Sequence, residues 1–261
     1  MLKTGVKAKQ QLRLLHYLKR RLALPLVALK SRNNLERKIV RTGDGSTTIQ
    51  LVEWNEQYHS MHGAVQEARH VFLKMGFDFF IEKNPETAQL HILEIGFGTG
   101  LNALLTLIHA ENAPLVLNYE GVEAYPVSAE ELKQLNYLEA IKAERYEGVF
   151  NKMHQADWET AATITEKFQL KKRQQTFETV TDQNQHNLIY FDAFGARVQP
   201  ELWGEAIFLK MYEALKFGGV LVTYAAKGSV RRAMQAVGFE VQRLPGPPGK
   251  REMLRGTKGL L

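Results

Sequence analysis

One stretch of the 261-residue chain restricts its fold more than any other: Leu90–Ile95, then Gly96-Phe97-Gly98-Thr99-Gly100, then Leu101–Ala110. The first segment is an apolar run of strand length, and the last carries apolar residues at helical spacing. A tight turn joins them, whose glycines would let the backbone approach an organic ligand closely, the alternative being a turn with no ligand. The same alternation recurs downstream. Leu115–Val122, Asn187–Phe191 and Gly219–Tyr224 read as buried strands, with Ser128–Tyr137 and Glu201–Leu215 as helices between them. Parallel neighbours require crossover connections, so this order predicts an α/β fold with a mostly parallel central sheet and helices on both faces.

Ahead of this core, Ile39–Trp54 holds two β-prone runs divided by Gly43-Asp44-Gly45, a hairpin signal. Tyr58–Gly63 reads as a loop, and Ala64–Met75 as a helix, because Val65, Ala68, Val71, Phe72 and Met75 recur at helical spacing. Residues 39–80 therefore add an N-terminal hairpin and helix to one domain expected over 39–261. The polar stretch Thr160–His186 shows no strand pattern and reads as a helix plus a mobile insertion, or as an ordinary surface excursion. Pro245-Gly246-Pro247-Pro248-Gly249 reads as a rigid, kinked connection to Lys250–Leu254.

Cysteine is absent, which removes disulfides, thiolate zinc sites and a cysteine nucleophile together. The eight histidines form no H-E-x-x-H or comparable pair, so no metal is expected. No run approaches the roughly 18 uninterrupted apolar residues of a membrane span, and no membrane association is expected. The net charge of +6 is unevenly spread. Residues 1–38 hold 11 Lys/Arg against Glu36 alone, and residues 227–261 hold 8 against Glu240 and Glu252, leaving 15 basic and 25 acidic residues in 39–226. Such polarity suits a core with carboxylates for an organic cofactor and positive ends for phosphate, or else basic tails that are merely solvated. Within the basic extension 1–38, Gln10–Ala28 has helical apolar spacing and reads equally as a loosely attached helix or a targeting segment.

In open parallel sheets a ligand sits beyond the carboxyl ends of the strands, so residues at those ends are the candidates for chemistry. The glycine spacing is G-x-G-x-G, unlike the dinucleotide fingerprint G-x-G-x-x-G, and Glu94 precedes it on the strand. Strand, acid and glycine turn together resemble class I S-adenosylmethionine-dependent methyltransferases, which implies Glu94 at the methionine end of that cofactor. Glu123 ends the second strand, where a carboxylate can accept both ribose hydroxyls. Asp157 and Trp158, after an expected third strand, read as partners for an adenine amino group and ring, with a helix N-cap as the alternative for Asp157. Asp192 ends the fourth strand, where a carboxylate can take the proton of an amine or hold it in line for methyl transfer. Phe194 offers a face for a flat base. The alternative for Asp192 is a structural bond to backbone amides of its turn.

A more specific resemblance rests on Thr42–Ser46, Trp54–Ser60, Gly63–Phe72, Glu94–Asn102, Asp192-Ala193-Phe194 and Lys250–Leu254. Over residues 39–257 these resemble the tRNA 5-methylaminomethyl-2-thiouridine methyltransferase family. The resemblance implies a Rossmann-like class I methyltransferase fold and methyl transfer to the primary amine of 5-aminomethyl-2-thiouridine at the wobble position. It implies a cofactor pocket that includes Glu94, Gly96, Phe97, Gly98, Gly100 and Asn102. It also implies that Tyr58, His59, Ser60 and Glu67 border the active site, although Tyr58 and His59 could simply pack between hairpin and helix. Lys227, Arg231, Arg232, Lys250 and Arg251 become candidates for the phosphates of the tRNA anticodon arm. Many relatives fuse this domain to a flavin-dependent oxidase; here no G-x-G-x-x-G occurs and the chain ends at Leu261. A stand-alone, cytoplasmic methyltransferase without FAD or an obligate protein partner is therefore expected.

Two other readings share these features. A methyltransferase or aminopropyltransferase acting on a small amine would use the same turn and strand-end acids. A non-catalytic RNA-binding protein could retain the fold without the chemistry.

Overall fold

Strands β1 (Arg37–Arg41) and β2 (Thr47–Leu51) pair antiparallel around the expected Gly43-Asp44-Gly45 turn, with Ile39 opposite Ile49. Asp44 closes that turn, accepting from Thr42 Oγ1 at 2.9 Å and the Ser46 amide at 3.1 Å. Its second oxygen accepts from the Gln66 amide at 3.0 Å, which ties the hairpin to the next helix. A short strand β3 (Glu56–Gln57) pairs with β2. The structure, a computed structural model, describes residues 35–259. The helix or targeting segment expected within residues 10–28 lies outside the described residues.

Helix α1 is continuous through Ala64–Ala68, a π-helical segment Arg69–Asp78, and Phe79–Lys83. It outlasts its expected end at Met75 because Phe77 and Phe80 still bury their rings against the core. A Cβ at Gly76 would lie 2.8 Å from Val222 Cγ2, so the missing side chain lets α1 lie close on the sheet.

The remaining strands are β4 (Gln89–Ile95), β5 (Val116–Val122), β6 (Ala161–Thr165), β7 (Phe168–Arg173), β8 (His186–Phe191), β9 (Leu215–Thr223), β10 (Phe239–Pro245) and β11 (Glu252–Lys258). They form one eight-stranded sheet in the order β10-β11-β9-β8-β4-β5-β7-β6. The central strands β9, β8, β4, β5 and β7 are parallel, while β6, β10 and β11 run against their neighbours at the edges. Helices α2 (Leu101–His109), α3 (Ala129–Leu132), α4 (Tyr137–Ile141), α5 (Glu147–Gln155), α6 (Glu205–Ala214) and α7 (Gly228–Ala236) join the strands. Leu90 and Ile92 of β4 pack in the apolar layer that holds Phe72 of α1 and Leu104 of α2. Leu93 and Ile95 pack in the opposite layer with Phe208 of α6 and Val230 of α7. Side chains alternate along a strand, so Glu94 shares the face of Ile92 and points toward α1 and α2.

Several expectations are corrected. The stretch Thr160–His186 holds the β6–β7 hairpin, and β7 is the third parallel strand beside β5. Its pattern is a half-buried alternation of Phe168, Leu170 and Lys172, disguised because the third inward residue is a lysine. The segment before Gln155 is helix α5, so Asp157 follows a helix rather than a strand. Ser128–Tyr137 divides into α3 and the start of α4 at Asn136, whose side chain accepts from the Thr47 amide at 2.8 Å and donates to Gly45 O at 3.0 Å. The expected helix Glu201–Leu215 is a 3-10 turn, Pro200–Trp203, followed by α6. Pro245 ends β10 and Gly246–Gly249 lies in the connection of a β10–β11 hairpin, which the sequence reading did not place.

Candidate active site

The carboxyl ends of the parallel strands converge on the glycine turn. The amides of Gly96 and Phe97 both donate to Val122 O at 3.0 Å, which fixes the turn against the end of β5. Gly96, Gly98 and Gly100 have φ of 95°, 49° and 72°, all in the left-handed region. A Cβ at Gly96 would lie 2.5 Å from the carbonyl oxygen of Asp192, and one at Gly98 would lie 3.0 Å from the Tyr58 ring. The turn is thus pressed between β8 and the N-terminal addition. Glu123 accepts from the Gly98 amide at 3.1 Å and from the Tyr125 amide at 2.9 Å, joining the end of β5 to the same turn.

Beside the turn lies a carboxylate pair, Glu94 buried and Asp192 half-buried, held by one amide. Asn102 Nδ2 donates to Glu94 Oε1 and to Asp192 Oδ2, each at 2.8 Å, and Tyr119 Oη donates to Glu94 Oε2 at 2.8 Å. Both Glu94 oxygens accept donors, a geometry suited to the ionised form, yet burial pushes this carboxyl well above the usual range. Burial, reinforced by the Glu67 carboxylate, raises Asp192 to about 7, while the Asn102 bond and Lys250 pull the other way. An arriving cation would relieve both costs. Because the Asn102 amino group must face the two carboxylates, its Oδ1 points elsewhere, and that oxygen is buried without a partner.

The N-terminal addition covers this edge. Tyr58 meets Phe194 edge to face at 5.0 Å between centroids, and Trp54 meets Phe194 at 6.1 Å. Glu67 accepts the Ser60 amide at 2.8 Å through one oxygen and is paired with Lys250 through the other. His59 faces Thr48 Oγ1 at 3.0 Å, and burial lowers it to about 4, so it is neutral near pH 7.

A family profile described as S-adenosyl-L-methionine-dependent methyltransferase matches residues 136–259. The tRNA 5-methylaminomethyl-2-thiouridine biosynthesis bifunctional protein MnmC of Paracidovorax citrulli is 31% identical over 217 residues, which are 77% of this chain and 32% of that protein. The protein of the same name from Idiomarina loihiensis is 30% identical over 228 residues, 78% of this chain and 38% of its own length. The chain therefore spans about a third of the length of the curated relatives it matches. Among solved structures, MNMC2 from Aquifex aeolicus superposes with a TM-score of 0.68 at 22% identity, covering 97% of this chain and 85% of that one. Spermidine synthase from Thermotoga maritima reaches 0.53 at 14% identity over 88% of this chain and 71% of its own, a likeness of fold. The chain belongs to the methyltransferase family of these MnmC proteins.

The residues fit the cofactor of that family. S-Adenosylmethionine carries an ammonium and a sulfonium, and Asn102 Oδ1, Glu94 and Asp192 offer an unsatisfied acceptor and two carboxylates for such groups. The glycine turn lies at the strand ends, and Glu123, bonded to its Gly98 amide, could accept ribose hydroxyls there.

Other expected residues fall less centrally. Asp157 is exposed after α5. Trp158 turns inward, 6.5 Å from Phe97 between centroids, with Lys172 Nζ 5.0 Å over its ring. Lys227 and Arg232 are exposed at the start of α7, with Arg231 half-buried between them in sequence. Arg251 is exposed, whereas Lys250 is turned onto Glu67. Sequence reasoning missed Tyr119 as the second donor to Glu94, Tyr224 beneath Lys250, and Tyr137, whose hydroxyl bonds Thr99 Oγ1 at 2.9 Å. Tyr119 had a signal: its position on β5 lies directly opposite Ile92 of β4, two residues before Glu94.

Proposed function

We propose that this chain transfers a methyl group from S-adenosylmethionine to the aminomethyl nitrogen of 5-aminomethyl-2-thiouridine at the tRNA wobble position, giving 5-methylaminomethyl-2-thiouridine. The observation that carries the reading is the Asn102-bridged Glu94–Asp192 pair at the strand ends, with Asp192 raised to about 7 by burial. A primary alkylamine is an ammonium near neutral pH, with no lone pair to give. Asn102 holds Asp192 Oδ2, so Oδ1 remains to accept the ammonium proton. A carboxylate that titrates near 7 can both take that proton and release it to water afterwards. When bound, S-adenosylmethionine supplies a methyl group on a positively charged sulfur. Glu94 and Asn102 hold its methionine end, and Glu123 its ribose. Phe194, backed by Tyr58 and Trp54, forms an aromatic wall for a flat base.

The names of the relatives support tRNA as the substrate, and exposed Lys227, Arg232 and Arg251 supply positive charge for the phosphates of its anticodon arm. Among the described residues no helix is long and apolar enough to cross a membrane, and no three His, Asp or Glu side chains group as a metal site. The reading is of a cytoplasmic enzyme acting alone. The transfer moves no electrons between redox states, so it calls on no flavin. The deciding experiment supplies labelled S-adenosylmethionine and tRNA bearing 5-aminomethyl-2-thiouridine, then analyses nucleosides by mass spectrometry. Labelled 5-methylaminomethyl-2-thiouridine is the expected product; transfer to small polyamines but not to tRNA would overturn the reading.

A further inference from the structure

Lys250 does not extend into solvent as a phosphate ligand would. It is delivered by the turn between β10 and β11, where the Gly246 amide donates to Arg251 O at 3.1 Å and the Lys250 amide to Pro247 O at 2.9 Å. His70 Nε2 meets Pro245 O at 2.7 Å, pinning that hairpin end to α1. Its ammonium is paired with Glu67, whose side chain is 9% exposed, and lies 3.9 Å from the centre of the Tyr224 ring. Tyr224 Oη in turn donates to Ala193 O at 2.8 Å, the residue after Asp192. Lys250 therefore touches the Asp192 loop through Tyr224 and the wall of the site through Glu67.

The charged and titratable groups facing Asp192 are Glu94 from β4, Tyr119 from β5, Glu67 from α1, Tyr137 from α4, Tyr224 after β9, and Lys250. Lys250 is the cation in that set. We propose that Lys250 is a positioning residue for methyl transfer: locked between Glu67 and the Tyr224 ring, its ammonium offsets the surrounding carboxylates and keeps Asp192 ionised to receive the substrate's proton. This rests on the reading of Asp192 as proton acceptor. The proton passes from the substrate nitrogen to the Asp192 carboxylate, leaving a neutral amine and a neutral acid. Without Lys250, Glu67 would stand buried beside Asp192 with the Ser60 amide but no paired cation, and each added negative charge makes ionisation of the next harder.

Infrared titration of carboxyl protonation in the purified full-length chain, with the Asp192→Asn spectrum subtracted, reads Asp192 without any substrate. Lys250→Met is expected to raise its pH midpoint by about one pH unit or more, and Glu67→Gln to lower it. Lys250→Arg keeps the charge and should stay near the parent value. The double variant Glu67→Gln/Lys250→Met removes both charges and should return the midpoint close to the parent, which guards against a single variant that fails to fold. Methyl transfer by Lys250→Met should fall about fivefold or more at pH 7 and recover at higher pH. Midpoints that do not move in Lys250→Met and Glu67→Gln, with or without lost activity, would overturn the proposal. Midpoints that move as expected while tRNA remains unmethylated would uphold the electrostatic role and remove the substrate reading instead.

Discussion

Burial that raises Asp192 to about 7 makes its negative charge a cost to the folded state. In the unfolded chain the same carboxyl loses its proton near the ordinary value of 3.8. Between those two points the unfolded chain binds fewer protons, so this residue lowers stability as pH rises from about 4 to about 7, and the deficit persists above. Asp192→Asn should therefore raise stability at pH 8 by on the order of 1–3 kcal/mol, with the gain vanishing near pH 4, while methyl transfer falls by about two orders of magnitude or more. Denaturation at both pH values, alongside turnover, checks the trade; an equal effect at pH 4 and pH 8 would remove burial as its cause. Glycines separate in the same way. Gly45 and Gly96 both have positive φ, but a Cβ at Gly45 meets nothing within 4 Å, whereas at Gly96 it meets backbone of Asp192 at 2.5 Å. Gly45→Ala should cost about 1 kcal/mol and Gly96→Ala at least twice that, with loss of cofactor binding, as urea midpoints and calorimetry would show. Glu94, Gly96 and Asp192 were legible because each lies within a short local pattern, a strand running into a turn. The Glu67–Lys250 contact joins residues 183 apart and leaves no such local trace.

At the scale of elements, the edge of the N-terminal sheet that faces the site is tied to the loop after β8. Arg197 Nη2, in the loop after β8, donates to Trp54 O at 2.8 Å, Asn55 O at 2.9 Å and Glu56 Oε2 at 2.6 Å. Its side chain is 58% exposed, so the ion pair itself adds little to global stability. What it secures is the placement of Trp54 and Tyr58 against Phe194. Arg197→Ala should change unfolding free energy by less than about 1 kcal/mol yet speed amide hydrogen exchange in residues 54–58 and 193–199 and raise KM for tRNA. Exchange left unchanged in both segments would mean that aromatic packing alone holds the cover. The elements themselves were read well where burial was continuous, as in β4, β5 and β8. They were misread where one polar residue broke the pattern. Lys172 is 2% exposed and spends its charge on His154 O at 2.7 Å and the Trp158 ring, so β7 looked like a surface excursion. That single strand displaced the expected position of Asp157. Asn136 divided one expected helix into two because its side chain serves the hairpin turn instead.

The molecule as a whole is polarised: residues 39–226 are net acidic, and the basic excess lies in the two end segments of the sequence. A polyanion approaching the acidic cluster around Asp192 would be repelled unless positive groups held it at the rim. Exposed Lys227, Arg232 and Arg251 are the proposed candidates for such groups, and the sequence of residues 1–34 holds nine further Lys/Arg. Counterion release makes the distinction measurable, since each phosphate neutralised steepens the fall of log K with log salt by about 0.7–0.9. Removing residues 1–34 should make that slope shallower by at least two contacts' worth for tRNA while leaving affinity for S-adenosylmethionine within about twofold. A slope that stays the same would show those charges to be bystanders and leave the phosphate contacts to the rest of the chain, with Lys227, Arg232 and Arg251 the proposed candidates. In that case Lys227→Ala with Arg232→Ala should weaken binding uniformly across tRNA species, because phosphate contacts position the substrate without reading its sequence.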